Sequence, residues 1–407
     1  MVEKCFGKYI KLCPSEKCTG CSACYNVCPT GSILMKEDNY AEMHPYINNS
    51  NCISCGLCQK VCPQLSKNEL KDPQRCYAAW RKDEKKRKDS SSGGIAALLY
   101  EKLLDQGFVC YGVKFDSDKG AYFFRITKKS EVEDIKGSKY VQAEIGMMLK
   151  SIGEELSHGK RVLFIGTPCQ AAGLEGFIVN TKYNSYKNNL IIVDFLCHGT
   201  VPGKYLLNEI ERIKKDEKVE ADFVAFRSNL LDRNYHFSLF KEGKIVYSKK
   251  AELQPYFYGF LNSLFCRESC TDCLYKQKQR VGDITIGDFI GLGKTSPISI
   301  PMGINPSVML TNSSLGKKVL DIIENDCIFV ERNISEAIVG GPSFKRKNVN
   351  NKKRKCFRKM YIRLGYNKSV EKIVRRFMWC DYIKNMMVTL IKKARRKILK
   401  LLRINIT

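Results

Sequence analysis

The sequence predicts a mixed α/β (α+β) body, with a small cysteine-rich module ahead of it and basic amphipathic helices behind it. Three observations carry this prediction. Two cysteine quartets of identical spacing occupy residues 18–62. Apolar runs bounded by Gly and Pro recur through the middle of the chain. Residues 345–403 hold 22 Lys+Arg against only Glu371 and Asp381, a net +20 out of the chain's +27.

The quartets are Cys18-x-x-Cys21-x-x-Cys24-x-x-x-Cys28-Pro29 and Cys52-x-x-Cys55-x-x-Cys58-x-x-x-Cys62-Pro63. Three thiolates at two-residue gaps wrap one cubane, and the fourth reaches away to the neighbouring cluster. This spacing predicts two [4Fe–4S] clusters in a ferredoxin-like dicluster module. Cys18, Cys21, Cys24 and Cys62 are assigned to one, and Cys52, Cys55, Cys58 and Cys28 to the other. Pro29 and Pro63 lack an N–H and turn the chain after each quartet. A zinc site takes four ligands in two pairs, not two matching quartets. A disulfide framework requires an oxidising compartment. The stretches Ser32–Met35 and Ala41–Met43 fit short strands between the cluster loops.

The chain has 407 residues, room for two or three domains, and 44% of them are hydrophobic, enough for a core. The segments expected are 1–70 for the dicluster module, 71–344 for the body and 345–407 for the basic tail. The first residues carry no apolar stretch of the kind a secretory signal needs. No apolar run approaches the roughly 18 residues of a membrane span. With its many thiols, the chain is expected to be cytoplasmic. Because the excess charge sits in a tail lacking a nucleic-acid module, nucleic acid is not an expected partner.

Within the body, Ser90-Ser-Ser-Gly-Gly94 opens onto the apolar run Ile95–Tyr100. Such a loop offers N–H groups and a hydroxyl to a phosphate, or serves as an ordinary helix cap. Arg161–Gly166 and Leu190–Leu196 read as strands buried on both faces. Each is followed by a cysteine, Cys169 and Cys197, at the carboxyl edge where open α/β sheets bind ligands. Cys270-x-x-Cys273 brings the thiols to four, the count a third [4Fe–4S] cluster needs. The same pair also fits a redox disulfide, half a zinc site or core thiols, and Cys266 is a substitute ligand. No G-x-G-x-x-G opens a helix, so a Rossmann nicotinamide site is not expected. The four histidines, His44, His158, His198 and His236, are too scattered for a hydrolytic triad.

Six blocks then occur in order: Ser91–Gly94, Gly137–Gln142, Phe164–Gln170, Asp194–Gly199, Ser269–Cys273 and Gly282–Phe289. With the quartets, they resemble the coenzyme F420 hydrogenase/dehydrogenase beta-subunit family in its form with an N-terminal 4Fe-4S dicluster domain. The resemblance implies an FAD-binding body that exchanges a hydride with a deazaflavin, with an iron–sulfur cluster beside the flavin. It implies that Ser92, Gly93 and Gly94 approach the flavin nucleotide. Lys139, Tyr140 and Gln142 would run along the flavin or its phosphates, and Gly166, Thr167 and Asp288 would line the same cleft. Cys169, Cys197, Cys270 and Cys273 would hold the third cluster. The expected function is an iron–sulfur flavoprotein oxidoreductase. It would pass electrons between a hydride donor or acceptor, coenzyme F420-like or other, and a redox partner protein. The alternatives are a non-catalytic ferredoxin-like electron-transfer subunit and an accessory protein of a surface-polysaccharide pathway.

In the tail, apolar residues from Val370 to Leu401 mostly follow helical spacing, with Lys and Arg on the other face. A basic amphipathic helix with Phe377 and Trp379 suits an anionic membrane surface. The alternative is a helix packed on the body or on an acidic partner.

Overall fold

The computed structural model describes residues 10–66, 69–227, 235–344 and 352–401. The outer ends of the expected segments, 1–9, 345–351 and 402–407, lie outside the described residues, as do the side chains of Ile398 and Leu401.

The cysteine-rich module has two halves built alike. Each quartet loop runs into a short helix, Ala23–Val27 in the first half and Leu57–Lys60 in the second. Between them lies an antiparallel hairpin of β1 (Ile33–Glu37) and β2 (Met43–Ile47), with Ile33 opposite Ile47. The strands begin one or two residues later than their apolar stretches suggest.

The body is one eight-stranded mixed sheet. Its strands are β3 (Arg75–Arg81), β4 (Val109–Asp116), β5 (Gly120–Ile126), β6 (Val162–Gly166), β7 (Leu190–Phe195), β11 (Ile284–Asp288), β12 (Ser307–Thr311) and β13 (Cys327–Arg332). The intervening strands β8 (Phe223–Ala225), β9 (His236–Lys241) and β10 (Lys244–Lys250) form a separate antiparallel sheet. The large sheet runs β13-β3-β12-β11-β7-β6-β4-β5. Its centre, β11-β7-β6-β4, is parallel and its flanks are antiparallel.

A parallel centre must be covered on both faces, and the residues alternate accordingly. Leu163, Ile165, Ile191 and Val193 join one core beneath the helix Ile95–Asp105, with Leu98, Leu99 and Leu103. Val162, Phe164 and Ile192 join the opposite core, under the helices Met148–Ser157, Pro168–Val179 and Gly203–Glu217. The two strands read from sequence as buried on both faces are the middle of this sheet.

The basic tail is not one solvent-facing amphipathic unit. It comprises a helix over Lys352–Ser369 broken at Gly365 (φ 72°), a π-turn over Val370–Val374, and a helix over Arg375–Leu401. Phe357, Tyr366, Val370, Val374 and Met378 are buried in the same core as the sheet helices. Phe357 lies 4.6 Å from Phe265 and 5.8 Å from Tyr205, ring centre to ring centre. Buried Arg354 donates to the carbonyl oxygens of Cys266 and Leu264. Lys353 and Tyr258 meet on Asp381. The apolar rhythm from Val370 to Met378 therefore reflects packing on the body. Trp379 is half exposed, and beyond Asp381 the apolar face opens, with Ile383, Met387, Leu390 and Ile391 exposed. No described helix is long and apolar enough to cross a membrane.

Candidate redox centre

The quartets fold into two cysteine-lined cavities. One is lined by Cys18, Cys21, Cys24 and Cys62, together with Cys13 and Cys58. The other is lined by Cys28, Cys52, Cys55 and Cys58. The last cysteine of each quartet thus sits with the first three of the other. All eight are free thiols.

The backbone of the loops explains why short runs suffice. The residue before the second cysteine of each quartet, Gly20 or Ser54, has φ of 66° or 54°. The residue after it, Ser22 or Gly56, has φ of 59° or 73°. Successive left-handed residues turn N–H groups inward and form an anion-binding concavity. The Gly20 N–H reaches the Cys18 sulfur, and the Ala23 N–H reaches Cys21. Burial pushes the Cys28 thiol up, but the Thr30 hydroxyl and the N–H groups of Thr30, Ser32 and Ile33 outweigh it and bring it down. N–H groups aimed at sulfur are what tune the potential of a cluster. Cys13 lay outside the motif, and no spacing rule finds it. Its thiol donates to Cys62 and, against the effect of burial, holds that group at about 7.

The second thiol group lies at the carboxyl edge of the sheet. The turn after β6 places Cys169 in the first turn of the helix Pro168–Val179, where Thr167 and Gln170 form a reciprocal cap. The Thr167 hydroxyl is 3.3 Å from the Cys169 sulfur. Cys197 follows β7, and the Gly199 N–H donates to it at 3.4 Å. Cys270 and Cys273 come from the segment ahead of β11, with the Thr200 hydroxyl 3.8 Å from Cys270. The four thiols feel one another's charge, and burial pushes Cys169 well up, Cys197 to about 12 and Cys273 up. Four half-buried thiols in mutual range, with no bond between them, match the donor set of a metal cluster. Cys266 stands behind them; a Cβ on Gly199 would lie 2.8 Å from its sulfur.

The two thiol groups share a wall. Gly173, one helical turn after Cys169, lets the module in. A Cβ there would sit 2.9 Å from the Cys21 sulfur. Two side chains complete the joint. Arg267, 1% exposed, donates to Gln142 Oε1 at 2.8 Å, the Cys18 carbonyl at 3.1 Å and the Met43 carbonyl at 3.0 Å. Gln142 in turn donates to the Thr19 carbonyl. Gln142 therefore faces the cysteine module.

The other residues singled out by resemblance divide into groups. Ser91, Ser138 and Asp288 converge: the Ser138 N–H donates to the Ser91 hydroxyl, and Arg227 links the Ser91 carbonyl to the Asp288 carboxylate. Burial would raise Asp288, but Arg227 and Tyr235 outweigh it and hold the group low. Tyr140 packs edge-on to Phe226 at 5.3 Å, with Arg227 over its ring at 6.0 Å. Burial brings Lys139 down to about 7, and its ammonium donates to the carbonyls of Ile135 and Lys136. Ser92 donates to Asn305, and Gly94 (φ 82°) opens the helix Ile95–Asp105. Gly93 and Gly166 serve close packing. A Cβ on Gly93 would lie 2.3 Å from the Ala79 carbonyl, and one on Gly166 2.8 Å from the Phe164 ring.

Residues 17–65 match the 4Fe-4S dicluster domain. Residues 76–150 match the N-terminal part, and residues 159–336 the C-terminal part, of the coenzyme F420 hydrogenase/dehydrogenase beta subunit. The chain belongs to that beta-subunit family. Among its relatives, one component of the F(420)H(2) dehydrogenase of Methanosarcina mazei is 22% identical over 343 residues, which span 80% of this chain and 87% of that protein. A solved F420-reducing [NiFe] hydrogenase complex from Methanosarcina barkeri contains a chain of 15% identity, with a TM-score of 0.44 over 64% of this chain and 83% of its own. The module at residues 17–65 is thus an iron–sulfur domain, and the chain is a component of an oxidoreductase family.

One family block proves structural in this chain. Asp194 is fully buried and accepts from Arg280, from the N–H groups of Val281 and Gly282, and from the Thr285 hydroxyl at 2.5 Å. It anchors the segment that follows Cys273. Arg267 and Arg227 were not readable as site residues, because an isolated arginine carries no spacing signal.

Proposed function

We propose that the chain is an iron–sulfur flavoprotein that passes electrons between a hydride donor or acceptor and a partner protein. The observation that carries this reading is the shared wall at Gly173, where Cys21 packs against the helix that bears Cys169 one turn earlier. Electron transfer requires redox groups held close and apart from water, and this joint is buried.

In this reading Cys18, Cys21, Cys24 and Cys62 hold one [4Fe–4S] cluster, and Cys28, Cys52, Cys55 and Cys58 the other. Cys169, Cys197, Cys270 and Cys273 hold a third. Ser92, Gly94, Lys139, Tyr140 and Asp288 face FAD, while Gly93, Gly166 and Thr167 shape the backbone around it. Flavin, when bound, exchanges a hydride and releases electrons singly to iron–sulfur centres. Lys139, brought down to about 7 by burial, supplies a group that takes up or gives up a proton near neutral pH, and Tyr140 an aromatic wall that excludes water. Thr167 touches both the cleft edge and Cys169. The Methanosarcina mazei relative carries F(420) in its name, which supports a deazaflavin as the hydride carrier.

Anaerobically purified protein tests this directly. About twelve irons and one flavin per chain support the proposal. About eight irons without flavin support the second reading, a non-catalytic electron carrier. One feature favours that second reading: Arg227 already occupies Asp288 and closes over Tyr140.

The exposed stretch beyond Asp381 supports a further part of the proposal, peripheral contact with an anionic cytoplasmic membrane surface. Ile383, Met387, Leu390 and Ile391 are exposed there among Lys384, Lys392, Lys393 and Arg395. Flotation with anionic liposomes should be lost when the chain is cut after Asp381. Equal flotation of the cut and full chains refutes membrane contact.

A further inference from the structure

Tyr275 stands in the joint between the two thiol groups. It lies two residues after Cys273 and is 6% exposed. Its own N–H reaches the Cys273 sulfur, and its carbonyl accepts from buried Arg280 at 3.2 Å. The backbone on which the side chain is mounted is therefore held at both ends. The phenol lies close enough to feel the charge of thiols from both groups, Cys169 and Cys273 of one and Cys21 and Cys62 of the other. Yet its hydroxyl is buried with no hydrogen-bond partner.

A buried hydroxyl without a partner costs about 1–3 kcal/mol, so chains rarely keep one where phenylalanine would pack as well. The ionisable groups whose charge it feels most are cysteine thiols. Thiols offer weak acceptors, whereas thiolates and sulfides bearing cluster charge accept strongly.

We propose that the Tyr275 hydroxyl donates a hydrogen bond to sulfur of the cluster held by Cys169, Cys197, Cys270 and Cys273, on the side facing Cys21 and Cys62, and thereby sets that cluster's potential against its neighbour. This rests on the third-cluster reading above. A donor to cluster sulfur stabilises the reduced, more negative state and raises the potential. Tyr275 thus makes this cluster the better electron acceptor on the path between body and module.

The test is Tyr275→Phe in the full chain, purified anaerobically, with iron analysis and a redox titration followed by electron paramagnetic resonance. The variant keeps the ring and removes only the donor. It should retain about twelve irons, and one midpoint should fall by a tenfold change in its one-electron equilibrium, about 59 mV. The other two should stay. Replacing Tyr275 with 3-fluorotyrosine, a stronger donor of nearly the same shape, should move the same midpoint upward and does not depend on the Phe variant folding. Unchanged midpoints with about twelve irons would overturn the role of Tyr275 alone. About eight irons in the unaltered protein would overturn the third cluster and this inference with it.

Discussion

Replacing Arg267 with methionine should loosen the dicluster module from the body without touching a single cysteine. The guanidinium is almost wholly buried and carries three hydrogen bonds, two across the joint to the carbonyls of Cys18 and Met43 and one to Gln142 Oε1 on its own side. Methionine fills most of the stem volume but leaves all three acceptors without a donor. An orphaned buried acceptor costs about 1–3 kcal/mol, and Gln142 recovers part of this by turning. The expected loss is about 3–5 kcal/mol of docking free energy, from the neutral acceptors left unpaired in the joint. Gly20 marks how tight the joint is: a Cβ there would lie 2.9 Å from Gln142 Nε2 and 3.3 Å from the Arg267 guanidinium carbon. Hydrogen exchange over residues 17–65, beside that of the central strands, measures the effect. The module amides should exchange a hundredfold or more faster in the variant, while β6 and β7 remain protected. Arg267→Lys should fall between, because an ammonium cannot fork to three acceptors. Module exchange within fivefold of the unaltered protein would refute the reasoning.

Other outcomes follow from the same structure. Gly173→Ala should displace Cys21 and lower the iron retained by the first cavity, since its Cβ would lie 2.8 Å from the Cys21 Cβ; unchanged iron content would show that the wall yields. Phe357→Ala should cost about 3–5 kcal/mol in urea unfolding, because the ring is fully buried against Phe265, Tyr205 and Tyr361. Burial would raise the Glu101 carboxyl, but hydrogen bonds from Arg81 and Lys86 outweigh it and bring the group to about 2. Its folded pKa is depressed, so its contribution is complete above about pH 4.5 and disappears as pH falls toward 2. At most about 3 kcal/mol is involved, and Glu101→Gln should flatten that part of the stability–pH curve.

The dicluster module was legible because its chemistry is local. Ligand spacing and left-handed turns act within a few residues, so the crosswise sharing of Cys28 and Cys62 follows from the motif. The two central strands were legible for a related reason, as continuous apolar runs have few other uses in a chain of this composition. The tail was half legible. Its helical rhythm was correct, but periodicity cannot say what lies against an apolar face. From Phe357 to Met378 that face belongs to the core, and the stretch from Trp379 onward is largely exposed.

By itself, the sequence determined the two thiol quartets, the parallel strands and the concentration of charge at one end. Tertiary structure alone decided what joins them. Gly173, Arg267, Gln142 and Tyr275 come from separated segments and match no spacing rule. Their importance arises from a close approach of backbones and from burial of polar atoms, which exist only once the chain has folded.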